Sequence, residues 1–275
     1  MKPLSEQTIL ITGSTDGLGK ATACELAARG ATVLIHGRSR ERLDATIAEI
    51  AKSTGSRKLS GYLADLAGLA QVRRLAEEVA KAHDRLDLLI NNAGIITGRG
   101  GRRETSADGY ELTFAVNYLA PFLLTRLLLP LLRSGAPSRI VSVSSVGQSP
   151  IDFADVMLDR RFDPMRAYTQ SKLAQIMFTV DLAEELRSER IAVNAMHPAS
   201  LMNTKMVMES FGYSTSTIEE GVEALLFVAT SPSLEGITGR YFNQKREARA
   251  NPQAYDPQAR AELKSLSERL AGLAG

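Results

Sequence analysis

The chain is poor in residues that build covalent or metal-held sites. Its single cysteine, Cys24, permits no internal disulfide, which suits a reducing compartment. Cys24 sits in a helical pattern and reads as a small packing residue. The three histidines, His36, His83 and His197, are scattered without ligand spacing, so no metal is expected. Excess charge of one sign is also lacking. Lys and Arg number 33 against 31 Asp and Glu, a formal net charge of +2, which argues against nucleic acid as a main partner. No uninterrupted apolar run reaches the roughly 20 residues of a membrane span. The most apolar stretch, residues 112–132, is broken by Asn117, Pro121, Arg126 and Pro130, and a buried helix is expected there. The first seven residues are largely polar and a strand pattern follows at once, so no signal peptide is expected and the predicted location is cytoplasmic.

What is present is apolar bulk arranged in alternation. Hydrophobic residues make up 44% of 275 positions, enough core for one large α/β domain. Short β-branched runs at 8–12, 32–36, 59–64, 86–90, 139–144 and 191–197 predict strands. Helical patterns fall between them at 17–29, 40–53, 69–83, 106–133 and 165–187, and a further helix at 218–229 precedes a short last strand at 240–243. Such alternation predicts a parallel sheet with helices on both faces, in a single domain spanning 1–275. The stretch 97–103 (Thr-Gly-Arg-Gly-Gly-Arg-Arg) reads as a loop with solvated arginines. Residues 246–275 read as an appendage with a helix over 258–270.

Directly after the first predicted strand comes Gly13-Ser14-Thr15-Asp16-Gly17-Leu18-Gly19, and then a helix. Glycines there let backbone approach a pyrophosphate, and the helix N-terminus offers free N–H groups and partial positive charge. The second strand ends in Gly37-Arg38-Ser39 rather than in a carboxylate. A guanidinium matches a phosphate bidentately and Ser39 adds a donor, so NADP(H) is predicted over NAD(H). The competing reading is that Arg38 only opens the charged helix that follows. Asp65-Leu66, after the third strand, lies where an adenine amino group could be met, though Asp65 can also cap the next helix.

Tyr168 and Lys172 are four apart, neighbours on one helix face. A phenol titrates near ~10, and an adjacent ammonium would lower that value. Ser144 and Ser145 close the apolar run just upstream. With Thr12-Gly13-x-x-x-Gly17-x-Gly19, Asn91-Asn92-Ala93-Gly94, Asn117, Ser145 and Tyr168-x-x-x-Lys172 in this order, the chain resembles the single-domain short-chain dehydrogenase/reductase family from residue 6 to about residue 245.

The resemblance implies a Rossmann-type, doubly wound parallel sheet of about seven strands. It implies an oxidoreductase interconverting a carbonyl and an alcohol by hydride transfer with a nicotinamide cofactor. Tyr168 would be the proton donor or base. Ser145, with Ser144 the fallback, would polarise the substrate oxygen. Lys172 would tune Tyr168 and bond the nicotinamide ribose, and Asn117 would hold a water linking Lys172 to solvent. Asn91, Ala93 and Gly94 would line the cofactor and steady the sheet, with Pro198 and Ser200 beside the nicotinamide. Pro198-Ala199 stands where the family commonly has Pro-Gly. Alternatives on the same scaffold are epimerase- or dehydratase-type chemistry, or a silent NADP(H)-sensing regulator.

Within the family the chain is similar to the retinol dehydrogenase-type branch. Ser145 and Tyr168 are 23 positions apart, longer than usual, and the added stretch is 148–163. The branch's membrane-bound members carry an N-terminal hydrophobic anchor, and the polar first residues here lead to the expectation of none. Residues 148–163 and 199–217 are expected to flank the substrate as mobile segments. Met202, Met206, Met208, Phe211 and Tyr213 point to a substrate with apolar parts. Relatives pair through the helices predicted at 106–133 and 165–187, so a homodimer or homotetramer is expected, unless the insert and tail block those faces.

Overall fold

The computed structural model describes residues 2–98 and 100–273; Arg99 of the glycine–arginine loop and the last two residues of the tail lie outside the described residues. The elements run β1 Thr8–Ile11, α1 Gly17–Ala28, β2 Thr32–Gly37, α2 Arg40–Thr54, β3 Leu59–Leu63, α3 Leu69–Ala82 and β4 Leu88–Asn91. The second half has α4 Leu112–Phe114, a π-helical stretch Ala115–Leu119, α5 Ala120–Gly135, β5 Ser138–Val143, α6 Pro164–Glu185, β6 Ile191–His197 and α7 Lys205–Phe211. α8 Ile218–Thr230, β7 Tyr241–Asn243, β8 Arg246–Ala248 and α9 Pro257–Leu270 complete it.

One sheet holds all strands in the order β3-β2-β1-β4-β5-β6-β7-β8. β1 to β7 pair in parallel. Both faces are covered, which explains strands written as continuous apolar runs. Leu10, Leu34, Leu89 and Ile140 pack under α3, α5 and α6. Ile9, Ile11, Val33, Ile35 and Ile90 face the opposite way, against α1, α2 and α8. The chain order reverses between β1 and β4, so a crevice opens at their carboxyl ends, the usual ligand position in such sheets.

Three features depart from the sequence expectation. First, β8 is an eighth strand, antiparallel to β7, joined through Gln244 at φ 56° and Lys245. Such a turn is normally signalled by glycine or asparagine, and a run of Arg246 and Glu247 does not read as a strand. Second, the long helix begins at Leu112 and not at 106. Gly109 at φ 83° lets residues 106–110 fold back, with the Ser106 N–H on the Tyr110 carbonyl. Buried Glu111 then caps the start by accepting from the N–H groups of Thr113 and Phe114. From there Leu112–Gly135 is continuous and long and apolar enough to cross a membrane, with 83% of its most apolar window buried inside the fold.

Third, the insert 148–163 is pinned on all sides. Ile151 exchanges two hydrogen bonds with the Gln253 side chain. Gln170 donates to the Val156 carbonyl and Arg103 to that of Met157. Asp155 accepts from the N–H groups of Asp159 and Arg160 and ties a turn. The tail helix α9 lies over the α5–α6 seam, where Arg260 sits 3.0 Å from Asp181 and 3.2 Å from Glu184. The Tyr118 hydroxyl also reaches that of Ser267 at 2.8 Å. α9 therefore occupies part of the surface on which subunit contacts were expected.

Candidate active site

The glycine turn after β1 has a shape that only glycine permits at two points. Gly13 takes φ 64°, and a Cβ there would lie 2.9 Å from Ala93 Cα. At Gly19 a Cβ would drive into the Gly13 carbonyl and the Asn92 side chain. Asn92 braces the turn by donating to the carbonyls of Thr12 and Gly13. Thr12 Oγ1 in turn accepts from the N–H groups of Asn92 and Ala93. Asp16 caps α1 through Gly17 N–H and pairs with Arg42 at 2.8 Å. Ser14 and Leu18 point inward; the Ser14 hydroxyl donates to Ile11 and accepts from His36 N–H, so it is not free for a phosphate. Thr15 packs its methyl group toward Gly37.

His36 was not assigned a role from sequence, yet it holds this turn. Its Nδ1 accepts from Gly13 N–H at 3.0 Å and its Nε2 faces the Ala64 carbonyl at 3.1 Å. These partners require the neutral ring protonated on Nε2. Burial lowers its pKa to about 4. Arg38 stands exposed just past β2, and Ser39 caps α2 by accepting from Arg42 N–H. Asp65 accepts from Ala67 N–H and closes a turn; it does not cap α3, whose Leu69 N–H goes to Asp108. Leu66 is buried beside it.

On the other side of the crevice, Ser144 and Ser145 follow β5 and α6 brings Tyr168 and Lys172. The two serines are separated by their partners. Ser144 donates to the backbone carbonyl of Lys172 at 2.7 Å. Ser145 accepts from Gly147 N–H at 3.0 Å and stands near enough to the Tyr168 phenol to pull its pKa down. Its carbonyl is held by Tyr241 and Gln148, two supports that the sequence did not signal. Lys172 Nζ lies 5.6 Å from the Tyr168 ring centre and donates to the Val143 carbonyl at 2.8 Å. Gly94 backs onto this amine, since a Cβ there would meet Lys172 Nζ at 3.3 Å.

Burial governs both ionisations. It pushes the Tyr168 phenol up, against a smaller downward pull from Ser145. It brings the Lys172 amine down to about 7. The lowering of Tyr168 by Lys172 expected from the sequence is therefore not the balance within the protein, where burial is the largest influence on the phenol and the amine donates to the Val143 carbonyl. His197, at the end of β6, bonds Ser200 at 3.1 Å and is lowered to about 4 by burial and then by Lys172. Pro198 is buried between them in sequence.

Asn117 is fully buried in the π-helical stretch. Its side chain accepts from Ile95 N–H at 2.8 Å and donates to the Ile95 carbonyl and to Ser171. Its own carbonyl accepts from Gln175 at 2.8 Å. Asn91 is not brought to the crevice by its side chain, which donates to Thr125 under α5. The glycine turn, the Asn92–Gly94 segment after β4, Ser145, Tyr168, Lys172 and Asn117 thus converge at the carboxyl ends of the central strands β1, β4 and β5. Glycine at 13 and 19 lets the turn pack closely on itself and on Asn92 and Ala93 just before the N-terminus of α1, an arrangement that suits a dinucleotide pyrophosphate.

The chain is similar to known proteins in sequence and in fold. The short chain dehydrogenase family model matches residues 7–213. Mouse retinol dehydrogenase 13 is 34% identical over 98% of this chain and 84% of its own length. Human retinol dehydrogenase 14 is 36% identical over 97% of this chain and 87% of its own. A crystal structure of a protein from Mycobacterium paratuberculosis superposes with a TM-score of 0.79 at 30% identity, covering 97% of this chain and 94% of that one. A short chain dehydrogenase of Escherichia coli CFT073, complexed with NADPH, gives 0.71 at 28% identity over 88% and 97%. The chain belongs to the short-chain dehydrogenase/reductase family, among its retinol dehydrogenase-like members.

Proposed function

We propose that the protein interconverts a carbonyl and an alcohol using NADP(H), with Tyr168, Lys172, Ser145 and Asn117 as its reacting and supporting groups. The observation that carries this reading is the convergence of Ser145, Tyr168 and Lys172, with Lys172 Nζ 5.6 Å from the Tyr168 ring centre, at the carboxyl ends of the same central strands that bear the glycine turn. NADPH supplies a hydride when bound. The turn from Gly13 to Gly19 and the N-terminus of α1 cradle its pyrophosphate. Arg38 and Ser39 meet the 2′-phosphate, and Asp65 with Leu66 meets the adenine.

Tyr168 gives its phenolic proton to the substrate oxygen as that oxygen gains negative charge, and takes a proton back in the oxidative direction. Ser145 turns its hydroxyl from Tyr168 toward the same oxygen and donates a bond that strengthens as charge develops. Its geometry is prepared in advance, because Gly147 N–H anchors Oγ and Tyr241 and Gln148 hold the backbone. Lys172 keeps an N–H free beyond Val143 for the cofactor ribose. Exposed Met208, Phe211 and Tyr213 on and after α7, with Met165 at the start of α6, favour a substrate with a sizeable apolar part.

The test follows NADPH consumption across a panel of apolar aldehydes and ketones, then repeats it with NADH and with Arg38→Asp. The reading expects turnover with NADPH preferred, and loss or reversal of that preference in the variant. An unchanged preference sinks the role of Arg38. Tight NADPH binding with no turnover on any carbonyl sinks the activity and favours a regulator.

A further inference from the structure

Gln175 lies one turn beyond Lys172 on α6 and is buried. Both ends of its amide are used. Nε2 donates to the Asn117 carbonyl at 2.8 Å, and Oε1 accepts from Lys172 Nζ at 3.3 Å. The partners dictate this orientation, since a backbone carbonyl only accepts and an ammonium only donates. The Asn117 carbonyl is available for a reason written in the sequence. Its ordinary helical partner would be the N–H of residue 121, which is Pro121 and has none. The chain answers with a π turn, in which Ala120 N–H reaches back to Ala115, and the Asn117 carbonyl turns to α6.

The surroundings of Lys172 are otherwise almost without charge. Tyr168 on α6 and His197 on β6 are the titratable groups that face it. β5 presents the Val143 carbonyl, the loop after it Ser144, and the loop after β4 the backbone of Gly94. Gln175 is thus a direct polar link between the amine and the helix that carries Asn117.

We infer that Gln175 is a positioning residue for the carbonyl–alcohol reaction, fixing the Lys172 amine by tying it to the Asn117 carbonyl. The inference rests on the function proposed above. The Gln175 amide thus bridges the Lys172 amine and the π turn directly.

The test is the ionisation of Lys172, read by NMR of its labelled side chain in the cofactor-free protein, for wild type, Gln175→Glu and Gln175→Met. A carboxylate at this distance should raise the midpoint by about one unit or more. Gln175→Met, which removes the acceptor at similar volume, should lower it. The pH profile of kcat/KM should move in the same directions, with kcat falling more than KM rises. Midpoints and profiles that coincide in all three folded proteins would reduce Gln175 to packing. If neither variant folds, wild type decides alone. The Gln175 amide protons should exchange slowly and shift as Lys172 titrates, and fast exchange with no such shift overturns the inference. Because the NMR needs no turnover, a protein inactive on every carbonyl would refute the proposed function while leaving this test intact.

Discussion

His36 and His197 are held neutral by burial, each with a pKa lowered to about 4 from an ordinary 6.5. Between these values the unfolded chain binds more protons than the folded one, so folding stability falls as pH drops from 6.5 toward 4. Above 6.5 both states are neutral and the effect vanishes. For His36 the cause is visible, because a proton on Nδ1 removes the acceptor of Gly13 N–H. His36→Asn keeps an acceptor near that position without titrating in this range. The thermal midpoint of wild type should therefore fall more steeply than that of the variant over this window. Gly19 offers a second residue-level prediction. Overpacking costs about 1–3 kcal/mol, so Gly19→Ala, crowding Gly13 and Asn92, should weaken NADPH binding about ten- to a hundredfold in a titration.

At the scale of elements, the decisive one is the π turn between α4 and α5. Pro121→Ala restores an N–H that competes for the Asn117 carbonyl, so an unbroken α-helix becomes available. Turnover should fall about tenfold or more, as misplaced catalytic groups do, while the thermal midpoint does not drop. A variant that loses both together would show that the turn serves folding alone. All seven strands predicted from the sequence form, with ends shifted by two residues or fewer. Their apolar runs were legible because a parallel sheet buried on both faces leaves no other pattern. β8 was not, because Gln244 enters the left-handed region without the glycine that announces such a turn. The residues of the motifs were legible, but their bonds were not. Ser144 and Ser145 are adjacent letters, and only the folded chain separates a hydroxyl spent on Lys172 from one beside Tyr168. His36 and Tyr241 make long-range contacts that no local spacing records, as does Gln175 toward Asn117. Pro121, four residues after Asn117, was the one local sign of the freed carbonyl.

Across the whole molecule, the tail and the insert form one brace behind the site. Asn251 N–H bonds Gln148, Gln148 bonds the Ser145 carbonyl, and Gln253 clasps Ile151. α9 is anchored further along by Arg260, buried between Asp181 and Glu184. Arg260→Ala should cost about 2–3 kcal/mol in denaturant unfolding, since it leaves Asp181 partly buried without its partner. Turnover per folded molecule should stay near wild type. Equal stability of the two proteins would show that α9 is held by its apolar face alone. The account as a whole stands on Tyr168 as the proton donor of a nicotinamide-dependent carbonyl reduction. The most direct measurement is kcat of Tyr168→Phe on the best carbonyl of the panel, with NADPH affinity determined on the same preparation. The account predicts a loss of about 10²–10⁴-fold with NADPH binding retained; turnover near that of wild type would contradict it.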